Sequence, residues 1–167
     1  YMVAKPMIAA VEGYALAGGF ELAISCDLIV AADDSKFGIP EVKRGLAAAA
    51  GGLVKLPKQI PSRIAMELAL TGDFISAERA ADLGLINQVV ASGTALDAAK
   101  ALAAKIAANG PLAVAASKRV VASAPDWTSD VAFKNQNDIV MPVFSSEDAI
   151  EGATAFAEKR APNWKGK

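Results

Sequence analysis

Two glutamates, Glu21 and Glu41, stand twenty positions apart, and each follows backbone that restricts where a carboxylate can point. Glu21 comes after a glycine pair in Ala17-Gly18-Gly19-Phe20-Glu21-Leu22-Ala23, and Glu41 after a proline in Phe37-Gly38-Ile39-Pro40-Glu41. The chain holds no histidine and a single cysteine, Cys26. That inventory excludes nucleophile–histidine triads, histidine-rich zinc sites and paired-cysteine metal sites. Acid–base chemistry in this chain falls to carboxylates, and these two are the ones whose settings suit it.

Gly18 belongs with them. A glycine at a helix start leaves its N–H approachable, with the positive end of the helix dipole behind it. Such a donor is one half of an oxyanion hole. Paired glycines also permit a tight strand-to-helix turn, and an acid in the first turn also stabilises a helix, so both readings stand for Gly18 and Glu21. Glu41 lies in a segment too apolar for ordinary surface, where a carboxylic acid can serve as a proton donor; the alternative is a surface pair with Lys43 or Arg44. Other motifs fail. Gly45 to Gly52 carries Ala50 where a phosphate loop needs its second glycine, and no Gly-Lys-Ser/Thr follows. Gly13, Ala15 and Gly18 miss the dinucleotide spacing. Asp27, Asp33, Asp34 and Asp73 sit at strand and turn boundaries, where turn capping accounts for them better than a hard metal does.

The elements that must position these groups follow from periodicity and breakers. Met7–Val11 reads as a buried strand, and Gly18-Gly19 opens a helix running to about Cys26. Asp27–Ala32 reads as a second strand and Ser35–Gly38 as a short third, giving a βαβ rhythm. A short helix leads to Pro57; Ser62 is expected to cap a helix through Leu70 that Gly72 closes. Ser76 caps Ala77–Leu83, Gly84 stops it, and Leu85–Val90 is a strand. Helices are expected over about 94–108, 111–123, 129–140 and 145–160, the last with a capping box at Ser145-x-x-Asp148. Trp127, Phe133, Phe144 and Phe156 read as core of this helical part. The fold class is therefore α/β, with an α/β portion over 1–92 carrying the candidate site and a helical portion over 93–167.

At 167 residues the chain can bury roughly 70% of its unfolded surface without disulfides or a structural metal. A net charge of −1 argues against a nucleic-acid surface. The one basic cluster, Lys159, Arg160, Lys165 and Lys167, reads as a solvated end. Apolar stretches are interrupted by Lys5, Glu12, Glu21 and Asp27 before reaching the ~18 residues that span a bilayer, so no membrane partner is expected and the protein reads as cytoplasmic. The chain starts at Tyr1, as a fragment would.

The sequence resembles the enoyl-CoA hydratase/isomerase, or crotonase, superfamily. The likeness rests on Lys5-Pro6-Met7-Ile8-Ala9-Ala10-Val11-Glu12-Gly13-Tyr14-Ala15, Gly18-Gly19-Phe20-Glu21-Leu22-Ala23 and Cys26-Asp27. It continues through Phe37-Gly38-Ile39-Pro40-Glu41, Gly45, Ala50-Gly51-Gly52, Leu70-Thr71-Gly72, Ser76-Ala77-Glu78-Arg79-Ala80, Gly84-Leu85-Ile86 and the closing Glu151-to-Arg160 helix. It implies a partial β-β-α spiral core, a helical region that builds trimers or hexamers, and acyl-CoA thioester substrates. It further implies that the Gly18 N–H binds the thioester oxygen, that Glu21 acts as base and Glu41 as acid on a water added to a 2-enoyl-CoA, and that coenzyme A enters only as part of the substrate, with no metal. Members that only shift double bonds often lose the first glutamate, so keeping both favours a hydratase, a lyase of fatty acid metabolism.

Two departures qualify the likeness. Leu46-Ala47-Ala48-Ala49-Ala50 replaces a segment that usually contains a proline, and its small side chains are expected to reshape the acyl pocket, with Leu46 and Ala47 lining it. Relatives with this segment also resemble carnitinyl-CoA dehydratases. The family's upstream turns and second oxyanion donor are absent from this sequence, so the native protein is expected to be longer. Lys159 and Arg160 could meet CoA phosphates. The alternatives are an enoyl-CoA isomerase, a carnitinyl-CoA dehydratase-like lyase, or a catalytically silent scaffold subunit.

Overall fold

The computed structural model describes residues 3–167. Residues 7–102 form one compact unit; residues 103–167, with the described residues before Met7, form a second.

The first unit winds rather than folds back. β1 (Ile8–Val11) turns at Glu12-Gly13 into β2 (Tyr14–Leu16), α1 (Gly18–Ala23) follows, and the chain returns through β3 (Leu28–Ala32) and β4 (Lys36–Gly38). β1 pairs with β3 in parallel, Ile8 opposite Leu28, while β2 pairs with β4 in parallel, Tyr14 opposite Lys36. Each pass of the chain thus adds one strand to each of two sheets, which is the β-β-α spiral. The passes are stitched at their corners: the Lys36 N–H donates to the Gly13 carbonyl at 2.8 Å and the Ser35 hydroxyl to the Val11 carbonyl at 3.3 Å.

The unit continues through a 3-10 helix (Pro40–Arg44), α2 (Gly52–Gln59), α3 (Ser62–Thr71), β5 (Ile75–Ser76), α4 (Ala77–Asp82), β6 (Gln88–Val90) and the start of α5 (Ala95–Ala107). β6 extends the first sheet to the order β1-β3-β6, and β5 adds antiparallel to β4. Glu12, at the first corner, caps α5 from far along the chain by accepting from the Gly93 and Ala95 N–H groups at 3.0 and 2.8 Å.

Phe20 and Phe37 are fully buried, with ring centroids 5.8 Å apart, and they pack α1 onto β4. Phe20 precedes Glu21, so the same ring that fills the core sets where that carboxylate starts. Phe20→Ala is expected to destabilise the fold by about 3–5 kcal/mol, read as a lower denaturant midpoint with an unchanged slope.

Several elements differ from expectation. α1 stops at Ala23, not Cys26, because the Ser25 and Cys26 N–H groups reach back only three residues, to Leu22 and Ala23. β2 was not anticipated. α2 runs past Pro57 to Gln59. Pro61, not Ser62, precedes α3, and no side chain caps it. β6 is confined to Gln88–Val90, while Leu85 and Ile86 are buried outside the sheet. Ser76 and Gly84 behave as expected: the Ser76 hydroxyl accepts from the Arg79 N–H at 3.1 Å, and Gly84 has a φ of +78°.

The second unit is built on the end of α5, α6 (Pro111–Ser123), α7 (Ser129–Phe144) and α8 (Glu147–Ala157). α7 continues four residues beyond expectation, through Pro142. Ser146, not Ser145, caps α8, accepting from the Ala149 N–H at 3.0 Å. Asp148 instead ties down the tail, accepting from the Lys165 and Gly166 N–H groups at 2.7 and 3.0 Å. The tail's backbone is therefore tied down, while its cations Lys159, Arg160, Lys165 and Lys167 stay exposed as expected. Trp164 lies against Gly110 and Gly152 and donates to the Ala108 carbonyl at 2.8 Å. The expected aromatic core is a surface: Phe133, Phe144 and Phe156 are 77%, 70% and 87% exposed. Helical periodicity marks an apolar face and is silent on what covers it.

Arg160 grips Glu151 with two nitrogens, at 2.6 and 3.0 Å, and the Asn163 N–H adds a bond at 2.7 Å. The Arg160 guanidinium, followed by that N–H, holds the Glu151 carboxyl at about 2, below its ordinary 4.5. A folded value below the unfolded one gives stability that is complete above about 4.5 and lost as the pH falls towards 2. Glu151→Gln is expected to flatten the acid limb of Tm against pH in that window, with little difference between variant and parent pH responses above it.

Candidate active site

The site grows from the turn before α1. Ala17 carries φ 50° and ψ −129°, a conformation that costs a residue with a Cβ about 1–3 kcal/mol, and its N–H is anchored on the Gly38 carbonyl at 2.9 Å. Ala17 therefore makes the tight turn. Gly18 and Gly19 have no positive φ, and a Cβ at either would meet nothing within 4 Å. Neither turn geometry nor packing within the described residues demands a glycine there. Both glycines are exposed at the helix start, where N–H groups lack intrahelical acceptors.

Glu21 is 4% exposed, a charged side chain almost wholly inside. Its Oε1 accepts from the Ala50 and Gly52 N–H groups, each at 2.8 Å. Gly52 is the first residue of α2, so the carboxylate also lies at the positive end of that helix. Accepting two backbone donors suits an ionised carboxylate, and among the described residues no hydrogen bond falls on Oε2.

Glu41 lies in the 3-10 helix that Pro40 opens. Its Oε2 is buried and has no hydrogen-bond partner among the described residues. The surface-pair alternative fails, because Lys43 is committed to Asp73 at 2.7 Å and Arg44 to the Lys43 carbonyl at 3.1 Å. A buried carboxyl oxygen with no partner costs free energy unless something binds there in the working state.

One segment touches both acids. The Leu46 N–H donates to the Glu41 carbonyl at 3.1 Å, while Ala50 and Gly52 donate to the Glu21 carboxylate. Between these anchors Leu46 and Ala47 are exposed and Ala48 packs on the core. The backbone donors of Ala50 and Gly52 escaped sequence reasoning; the glycine pair Gly51-Gly52 was the available signal. Gly51 takes φ +106° ahead of α2, and a Cβ on Gly52 would stand 3.0 Å from the Glu21 Cγ.

The remaining candidates fall elsewhere. Lys159 and Arg160 belong to the second unit; Lys159 is exposed, while Arg160 is engaged by Glu151 and Glu158. The Asp34 carboxylate accepts from the Ser92 hydroxyl and Asp27 from the Met7 N–H, partners 58 and 20 residues away, so these bonds join distant segments where local turn capping was expected. No cluster of three metal-ligating side chains occurs among the described residues. No helix of the described residues is long and apolar enough to cross a membrane.

A spiral of paired strands with a buried Glu21 and a half-buried Glu41 whose Oε2 points inward has clear counterparts. The profile of the family described as enoyl-CoA hydratase/isomerase matches residues 1–167, and the chain belongs to that family. Its fold is the crotonase fold. A solved enoyl-CoA hydratase from Mycobacterium marinum superposes with a TM-score of 0.97 at 65% identity, over 98% of this chain and 65% of that one. One from Mycobacterium tuberculosis H37Rv gives 0.97 at 64% identity, over 98% of this chain and 65% of that one. Carnitinyl-CoA dehydratases of Proteus mirabilis (strain HI4320) and Escherichia coli (strain K12) are 41% and 43% identical over 98% of this chain and 64% of their own length. The chain thus spans less than two thirds of these relatives.

Proposed function

We propose that the protein is a lyase that adds water to, or removes it from, a coenzyme A thioester, with Glu21 as general base and Glu41 as general acid. The observation that carries this reading is the Glu41 Oε2, buried without a partner, in the same unit as a Glu21 already clamped by two N–H groups. Glu21 Oε2 takes a proton from water as the oxygen attacks C3 of a 2-enoyl-CoA. The electrons of the double bond move towards the thioester, whose developing oxyanion meets the Gly18 N–H, and Glu41 then delivers a proton to C2. The product is the 3-hydroxyacyl-CoA. Hydration changes no net oxidation state, so this reading needs no cofactor beyond the coenzyme A of the substrate.

The acyl group decides between two versions. The mycobacterial likenesses support a simple 2-enoyl-CoA, and the dehydratase likenesses support carnitinyl-CoA. Leu46 and Ala47, exposed between the two anchored ends of their segment, would line the acyl pocket. Residues 93–167 would serve as the oligomerisation region of a trimer or hexamer, a reading supported by the exposed Phe133, Phe144 and Phe156. Lys159 would meet CoA phosphates across a subunit boundary, while Arg160 is already held by Glu151. A cytoplasmic location fits a coenzyme A thioester substrate.

The test is the conjugated enoyl-thioester absorbance. Offered crotonyl-CoA the protein should bleach it; offered carnitinyl-CoA, a dehydratase should generate it. No change with either, or with a panel of longer enoyl-CoAs, would overturn the proposal.

A further inference from the structure

We propose that Lys55 and Ser25 are positioning residues for Glu21, an inference that rests on reading Glu21 as the general base. Neither residue faces the reaction in that reading, yet both are wired to the glutamate from behind. The Ser25 hydroxyl donates to the Glu21 carbonyl at 2.6 Å, and the Lys55 ammonium donates to the Ser25 hydroxyl at 2.6 Å. Lys55 lies on α2, three residues after Gly52, whose N–H holds the Glu21 Oε1 at 2.8 Å.

The bonds close a ring. It leaves the Glu21 carboxylate for the N–H of Gly52 and follows one turn of α2 to Lys55. It then returns through Ser25 to the carbonyl of Glu21. Gln59, four residues further along α2, donates to the Ile24 carbonyl at 3.0 Å and extends the same contact. Positions 52, 55 and 59 share one helix face, so a single rigid element holds Glu21 by its side chain and by its backbone. A carboxylate gripped only at its tip could swing about its own backbone. Gripped at both ends, it keeps the angle at which its free oxygen meets a water.

The chemistry explains the residue types. Lys55 and Ser25 are both partly buried, where an ammonium needs acceptors. The serine hydroxyl is donor and acceptor at once, so it can pass the restraint from the lysine to a carbonyl. The end of α1 offers carbonyls free of intrahelical partners, and a cation there is favoured by the helix dipole. A simple helix–helix staple would share these contacts, so the test must read the orientation of Glu21 and not stability alone.

Three variants of the full chain separate the two roles: Lys55→Met, which keeps the apolar stem, Ser25→Ala and Ser25→Thr. Hydrogen–deuterium exchange at the Ala50 and Gly52 amides reports the grip on Glu21 without any substrate. Positioning predicts about tenfold faster exchange at those two amides in Lys55→Met and in Ser25→Ala, with the β1–β3 amides unchanged. With the acyl-CoA that the wild type turns over, kcat should fall about tenfold or more while KM moves less than about twofold, and Ser25→Thr should restore it. Exchange at Ala50 and Gly52 within about twofold of wild type in both variants would overturn the proposal, as would faster exchange throughout the unit, which marks a staple. If Lys55→Met does not fold, Ser25→Ala decides. A wild type without turnover counts against the lyase reading alone, because the exchange experiment still judges the ring.

Discussion

Glu41→Gln is expected to lower kcat by about 10²–10⁴-fold, the range that a positioned general acid supplies. Glutamine keeps the size of the side chain and loses only the ability to deliver a proton. The buried Oε2 site then holds an amide or its oxygen, neither of which protonates C2. KM should change little, because the group acts in the transition state and not in binding the coenzyme A moiety. The measurement is initial rate against concentration with the acyl-CoA that the wild type hydrates. Hydration that survives the substitution would move the acid role off Glu41.

Gly52→Ala is the second large effect, and a less obvious one. Its Cβ would stand 3.0 Å from both the Cγ and the Oε1 of Glu21, closer than ordinary van der Waals contact. Gly52 has no positive φ, so alanine fits its backbone, and alanine is the better helix former. The gain of about 1 kcal/mol in helix propensity is then set against a buried carboxylate pushed from its two donors, so stability is expected to fall by about 1–2 kcal/mol. A displacement of this kind is expected to cost about 10²-fold in kcat. The readout is kcat at a temperature where the variant is fully folded, with Tm measured on the same preparation. Unchanged kcat would mean that Glu21 is not held by α2 in the working state.

What the sequence made legible and what it hid follow from the kind of signal each residue sends. β1 and β3 were readable because short apolar runs end at Glu12-Gly13 and at Asp33-Asp34, and β4 because Phe37 stands between that second turn and Gly38. β2 escaped because Tyr14-Ala15-Leu16 is enclosed by Gly13 and the Gly18-Gly19 pair and reads as part of the turn into α1. Glu21 and Glu41 stood out because charge in apolar surroundings is rare enough to notice. The grip on Glu21 did not, since the N–H groups of Ala50 and Gly52 are main chain, and their one mark on residue type, the Gly51-Gly52 pair, reads equally well as a turn. Ser145 drew the cap because Asp148 follows it three residues on, yet Asp148 is spent on the tail and the neighbouring Ser146 caps α8. Arg160 read as a free cation for phosphate because its partner Glu151 lies nine residues away, beyond the reach of local charge patterning.

The segment from Gly45 to Gly52 is tethered at both ends, to the Glu41 carbonyl and to the Glu21 carboxylate. Its residue count is therefore a ruler set between the two acids. Leu46, Ala47 and Ala49 can be exchanged without disturbing either tether, since these side chains are exposed. A residue cannot be added or dropped without shifting one tether against the other. In a library built on this scaffold, substitutions across 46–49 should yield active members, and single-residue insertions in the same stretch should yield none.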